Sequence, residues 1–415
     1  MSWTFVLRPR EMESFWSCRR AWDFESRVRQ NYVPVTPTRV FDFEKAMHVG
    51  LAVYYFPAMD DWNRSIVRPL ALQGFERAMR DDRTGYEETT SLTPEQDADW
   101  NLFLTLGHRV LNRYFDWAAP ADDFESILAD EDIWVPVLDP WNPGLELGTP
   151  DGHPIRYFGR LDQLISDAQD EYWVVRHRVV WDDWGDDQAM LDDDEALRCQ
   201  WAVETSYPQL RVAGTIYNEL RVDRADVDVA GAGGDDVRQA AESAVRDLRD
   251  MTRGVRHLNT RRSPLTPAGK DLTLPLPDED LNRVYEVPIQ TDDRDHLSQR
   301  EGNDYVRRTW VRRARLSVPK AHLQIVDHVL EVREPDVDVS PSPSEEKCAR
   351  CVFLKPCKAL NEGVDIAPIM ASEYRKRSAE DFEEEGLRWS PNRRAQRASL
   401  GGRAQRPGTV NFRWG

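Results

Sequence analysis

Two β-rich runs separated by a polar turn constrain this chain more than any other feature. Residues 156–165 contain Gly159-Arg160-Leu161-Asp162, and residues 172–179 read Tyr-Trp-Val-Val-Arg-His-Arg-Val. Between them stands Ser166-Asp167-Ala168-Gln169-Asp170-Glu171. β-Branched and aromatic residues bounded by such a cluster predict a β-hairpin. Side chains alternate along a strand, so Arg176 and Arg178 share one face while Asp162 lies on the adjacent strand. An acid on one strand opposite an acid-x-Lys pair on the next can hold a divalent cation. The carboxylates ligate the metal, and the Lys orients water and stabilises charge on a phosphate. Here Arg occupies both positions of that pair.

The flanking sequence supplies the rest of an α/β core. Helices are expected over 10–30, over 43–56 (carrying His48), and from the capping box Thr93-Pro94-Glu95-Gln96 to about Trp117. A strand near 133–138 precedes the hairpin, and a helix over 194–205 and a strand over 211–222 follow it. Helix–strand–strand–strand–helix–strand is the order of an α/β core. The acidic run from 182 to 195 reads as a solvated surface that would repel DNA. Further on come a Gly-rich break at 230–236, a helix near 237–251, a Pro-rich region at 264–290, a helix near 321–332 and a Pro/Ser/Asp linker at 335–346. Five segments are expected: an N-terminal helical part (1–130), the core (131–228), a helical and irregular insertion (229–340), a cysteine segment (341–378) and a basic disordered tail (379–415).

The formal net charge of −18 argues against a chain that coats nucleic acid non-specifically, but leaves room for a local basic groove. No run of eighteen apolar residues predicts a membrane helix, and Met1 to Pro9 lacks a signal-peptide pattern, so a cytoplasmic protein is expected. Three of the five cysteines fall as Cys348-x2-Cys351-x5-Cys357. A tetrahedral zinc site and a four-iron cluster each need four ligands, and spacing alone does not choose between them. Cys18, in an aromatic and basic helix, is the natural fourth and would tie the N-terminus to the C-terminal region. Cys199 reads as a core cysteine.

Four stretches together resemble the RecB-type branch of the PD-(D/E)XK nuclease superfamily, in particular its iron–sulfur exonucleases of the CRISPR-associated and phage-encoded kind. Cys18-Arg19-Arg20-Ala21-Trp22 is similar to that family's Cys-Pro-Arg-Arg-aromatic start. Phe43-Glu44-Lys45-Ala46-Met47-His48 is similar to its Phe-Gly-x-x-x-His motif, Gly159 to Asp162 to its Gly-x-x-Asp strand, and the cysteine triplet to its C-terminal cluster ligands. The resemblance implies a mixed central sheet flanked by helices, with a 4Fe–4S cluster on Cys18, Cys348, Cys351 and Cys357. It implies catalytic roles for His48 and Asp162, Mg²⁺ or Mn²⁺ in an active site, and DNA as partner, single-stranded or at ends, with a protein partner also in view.

The sequence departs from the family in ways that bear on chemistry. Glu44 replaces the motif glycine, Arg176-His177-Arg178 replaces Asp/Glu-x-Lys, and Leu197 stands where a Gln is expected ahead of Trp201-Ala202. Mg²⁺ holds poorly to one carboxylate, and Arg176 is a fixed positive charge where a ligand belongs. Asp162 is therefore expected to pair with Arg176 or Arg178. Arg178 stays protonated and cannot serve as a base, but it can grip a phosphate. Asp170, Glu171 and Glu219 are the candidates for a migrated acid. Two functions follow: a nuclease-fold protein that binds DNA or a partner without cutting, or an active metal-dependent exonuclease whose acid comes from elsewhere.

Overall fold

The computed structural model describes residues 4–223 and 294–378, apart from positions 143, 182 and 335. The chain opens with β1 (Phe5–Leu7), α1 (Pro9–Ser17), α2 (Arg19–Glu25) and β2 (Tyr32–Pro34). Three helices follow, α3 (Phe43–Tyr54), α4 (Arg64–Glu87) and α5 (Pro94–Ala121). The meander β3 (Glu125–Pro136), β4 (Ile155–Ser166) and β5 (Tyr172–Trp181) leads through α6 (Asp187–Leu191) and α7 (Asp194–Ser206) to β6 (Val212–Val222). After residue 293 come β7 (His296–Gly302), β8 (Val306–Arg312) and α8 (Ser317–Val332). The last described elements are α9 (Glu345–Ala349), α10 (Leu354–Asn361), α11 (Ala367–Glu373) and β9 (Tyr374–Lys376).

Seven strands form one mixed sheet in the order β1-β4-β5-β6-β8-β7, with β3 on the outer edge of β4. The α/β class and the expected order of helix, three strands, helix and strand are both present. β4 and β5 are antiparallel but pair only from Gln163–Val175 to Ser166–Tyr172. β5 then follows β6 in parallel to its end, and β1 takes the far end of the same β4 edge, from Ile155 to Tyr157. Residues 158–162 are left without a ladder on that edge. This wedge in the sheet positions everything described below.

Alternation on β5 decides what each face of the sheet packs against. Val179 and Trp181 join α3, α4 and α5 in one core, and Val174 joins α1, α7 and α8 in another. The Thr93 capping box starts α5 as expected, with Gln96 N–H donating to the Thr93 hydroxyl (3.2 Å) and Thr93 N–H to Gln96 Oε1 (2.9 Å).

Several boundaries differ from expectation. The helix anticipated over 10–30 is two, because Cys18 adopts an extended backbone, donates to Ser14 O and accepts from Trp22 N, capping both. α4 was not anticipated; its polar composition hides a stripe of Val67, Ala71, Phe75, Ala78 and Met79 at helical spacing. β7 and β8, inside the stretch read as an insertion, extend the sheet instead. The expected break, helix and Pro-rich region between 230 and 290, and the basic tail, lie outside the described residues.

The two ends of the described chain meet. β2 and β9 pair antiparallel, Tyr32 with Lys376 and Pro34 with Tyr374. Beside them the rings of Phe24, Phe353 and Tyr374 stack in turn, at 5.2 and 5.3 Å between centroids.

Gly107 shows how closely α4 and α5 approach. A Cβ there would lie 2.0 Å from Phe75 Cζ, far inside van der Waals contact with the ring edge. Glycine to alanine in a helix interior ordinarily gains about 1 kcal/mol. Gly107→Ala is expected to lose about 1–3 kcal/mol through overpacking, read as a lower urea midpoint at unchanged slope, with Phe75→Leu recovering part of the loss.

Candidate functional site

The wedge between β4 and β5 is filled by the Asp162 carboxylate. Its Oδ2 accepts the backbone N–H of His177 (2.9 Å), a group that the missing ladder would otherwise leave unsatisfied. Its Oδ1 lies 3.3 Å from Nδ1 of His48, which α3 delivers from above the sheet. Burial works against both charges, but the pair outweighs it. His48 is pushed up to about 9, by the charge and hydrogen bond of Asp162 and then by Glu44. Asp162 is held well below the usual carboxylate range by the charge and hydrogen bond of His48, then by Arg176. At neutral pH the two form an imidazolium–carboxylate pair.

Arg176 and Arg178 do share a face, but Asp162 is not their partner. Arg176 spans two acids of α7 and its cap, donating to both oxygens of Asp193 (3.1 Å each) and to Glu195 (2.8 Å). Arg178 also binds Asp193 and sits over the Tyr217 ring, 4.4 Å from its centroid. Asp193 further accepts from the Tyr217 hydroxyl (3.1 Å) and from Ala196 N–H (3.0 Å), capping α7. The expectation of a direct Asp162–Arg pair fails because α7 brings a better-placed acid to the same face. The acidic run is likewise not all solvated: Asp193 is completely buried.

None of the three candidate migrated acids enters the wedge. Glu171 binds Arg312, and Glu219 is buried against Arg307 and Gly185 N–H. Asp170 sits in the β4–β5 turn at φ +60°. The acids that the fold does bring near Asp162 are Glu44 and Asp130. Glu44 stands one helical turn before His48; it reaches solvent, yet crowding by protein raises its carboxyl, opposed by His48. Asp130, opposite Asp162 on β3 at φ +51°, is bound by Arg160 Nε at 2.7 Å. The i, i+4 spacing of Glu44 and His48 was the available signal for the first. Nothing local marks the second.

His177 faces the other side of β5 and is neutral, lowered to about 3 by burial. Its Nδ1 accepts from the Asn218 amide (2.9 Å), which also donates to the Tyr114 hydroxyl (2.8 Å). Tyr114 bonds Tyr55, whose hydroxyl donates to Asp122 (2.8 Å), the partner of Arg308. This buried polar chain fixes His177, and through its N–H the Asp162 carboxylate. Leu197 is only half-buried on α7, and Trp201 stacks on His322 at 5.2 Å.

Cys18, Cys348, Cys351 and Cys357 come to one neighbourhood at the junction of the chain ends. The Cys351 thiol is raised by burial and then by each of the other three. Among the described residues, no three His, Cys, Asp or Glu side chains are gathered as a single metal ion would require. Cys199 lies apart in the core, its thiol pushed up to about 12 by burial. Among the described residues, no helix is long and apolar enough to cross a membrane. No protein-family model matches the sequence, and no curated protein is similar to it at a significant level.

Two outcomes test this geometry. His48 should remain protonated at pH 7.5 and titrate near 9 by NMR; in Asp162→Asn it should titrate markedly lower, since burial is then opposed chiefly by Glu44. The raised value means that the pair stabilises the fold fully below about pH 6.5, and that this contribution fades as the pH climbs through about 9. Asp193→Ala strands two partly buried guanidiniums and should cost about 3–5 kcal/mol in denaturant unfolding, whereas Asp170→Ala, at a left-handed turn position, should cost no more than about 1–2 kcal/mol.

Proposed function

We propose that this is a nuclease-fold protein of PD-(D/E)XK type that binds DNA, single strands or ends, and has lost metal-dependent phosphodiester hydrolysis. The observation that carries this reading is the composition of the wedge. One carboxylate, Asp162, is already held by an imidazolium and an N–H, and two guanidiniums stand where a second ligand and a Lys would be needed. A hard divalent cation seeks several anionic or neutral oxygens, and these residues do not supply them. Guanidiniums do suit phosphate oxygens, and both retain some exposure, 21% for Arg176 and 27% for Arg178.

The four thiols fit a 4Fe–4S cluster, with Cys18, Cys348, Cys351 and Cys357 as its holders. Zinc, which binds four thiolates tetrahedrally, is the alternative. A cubane bonds each thiolate to a different iron and tolerates a wider set. When bound, it would act as a covalent staple across the chain ends. Anaerobically purified protein should be coloured, with iron and sulfide in equal amounts, and Cys351→Ser should abolish the colour. Colourless protein holding one zinc would sink this assignment.

For function, anaerobic protein incubated with end-labelled single-stranded DNA and Mn²⁺ or Mg²⁺ should retain the DNA uncut. Asp162→Ala is the control for contaminating nuclease. Degradation that vanishes in Asp162→Ala would establish the alternative, an active exonuclease, and Glu44 is the acid whose position favours it. Gain of function requires more than Arg176→Asp with Arg178→Lys, since a carboxylate at 176 would face Asp193 and Glu195. The pair with Glu195→Gln added should restore measurable cutting.

A further inference from the structure

Guanidiniums and rings alternate along one face of β4. Arg156, Phe158 and Arg160 lie on it, while Ile155 and Tyr157 point the other way, into the core shared with α1, α7 and α8. The ladder sets Pro136, Trp134 and Asp132 of β3 opposite these three, and Ile133 and Val135 go into the core with Tyr157. Trp134 is 43% exposed among the described residues. It packs edge-to-face with Phe158, 4.9 Å between centroids, and Arg8 lies over the Phe158 ring at 5.5 Å. Arg156 is 46% exposed and approaches Glu146 only to 3.7 Å.

Scattered exposed apolar side chains are ordinary, but Trp134, Leu138, Trp141 and Leu145 are all exposed and belong to one hairpin. Its tip is ordered. Leu138 bridges to Glu146, Asp139 N–H donates to Leu145 O (2.8 Å), and the Asp139 carboxylate accepts from Trp141 N–H (2.8 Å). Rings on a paired ladder are held without the entropy cost of ordering a loop.

The row reaches the wedge through its own register. Two residues beyond Phe158 comes Arg160, which binds Asp130 at 2.7 Å, and two further comes Asp162. The Arg160 charge acts on both Asp162 and His48. At ~3.3 Å per residue, the Phe158–Trp134 pair lies about 13 Å along the strand from Asp162.

This arrangement selects its occupant. Single-stranded nucleic acid is held by stacking bases on aromatic rings and by basic groups that follow the backbone, and sheets commonly present those rings. A strand seated in the wedge meets this row on leaving it. Asp132, Asp139 and Glu146 on the same hairpin work against an anionic lipid surface. They also weaken attraction for phosphates, so stacking carries the binding.

We propose that Trp134, supported by Phe158 and flanked by Arg156, is a stacking platform for an unpaired base of a single-stranded nucleic acid whose backbone continues into the wedge. This platform presupposes the DNA reading above and specifies where the strand lies beyond the wedge.

The test titrates full-length, anaerobically purified protein into labelled oligothymidylate and into an abasic oligonucleotide of equal length, read by fluorescence anisotropy at several salt concentrations. The wild type should prefer the strand that carries bases. Trp134→Leu keeps apolar bulk without a π face. It should weaken oligothymidylate binding by about five- to a hundredfold, and leave abasic binding and the salt dependence unchanged. Trp134→Phe should recover most of the loss. Arg156→Gln should weaken both strands alike and flatten the slope of log affinity against log salt by roughly 0.7.

Equal affinity of the wild type for the two strands would overturn stacking without recourse to any variant. Undiminished oligothymidylate binding by Trp134→Leu would likewise overturn the platform, and either result leaves the DNA reading standing. Absence of binding to both strands by the wild type would overturn the platform and the DNA reading together. Self-association in sedimentation that disappears in Trp134→Leu, with DNA binding unaffected, would overturn the proposal by assigning this face to a second copy of the chain.

Discussion

When two strands part inside a sheet, their backbone groups still need partners, and the unpaired edge must be filled by something polar. Here β4 and β5 separate after four residue pairs, and the Asp162 carboxylate takes the N–H of His177 in place of the missing ladder. That one bond places a buried negative charge at the base of a cleft. Every other polar group nearby answers to it. His48 is protonated because of it, and the Asn218–Tyr114–Tyr55 chain behind His177 keeps the donor in place.

The same divergence exposes Arg176 and Arg178 to α7, whose N-cap Asp193 binds both. An N-cap normally serves one helix terminus; this one also pairs with two cationic side chains of β5. Such a network is costly to disturb at any single point, since each charge is buried on the assumption of the others. It leaves the charges around the wedge nearly balanced.

The features most legible in the sequence were those whose cause is local. The hairpin followed from β-branched runs, α5 from its capping box, and the sharing of a face by Arg176 and Arg178 from simple alternation. The family resemblance set His48 and Asp162 in one site, and they lie 3.3 Å apart. What stayed hidden depends on distant chain. Whether Asp162 would meet an arginine or a histidine was decided by where α3 and α7 dock. Asp193 looked like one acid among many, since nothing beside it tells a buried cap from a solvated neighbour. β7 and β8 become strands because β6 offers an edge to β8, and β8 in turn to β7.

The pairing of β2 with β9 has a consequence in time. Gln30 and Lys376 touch although 346 residues separate them. On a ribosome adding about 5–20 residues per second, the first segment waits roughly 17–70 s for its partner to be made. Throughout that interval Phe24 has no stack to join, Tyr32 has no strand partner, and Cys18 lacks Cys348, Cys351 and Cys357. The segment carrying β2 is thus made well before the segment carrying β9, and its pairing is completed only when that later segment arrives.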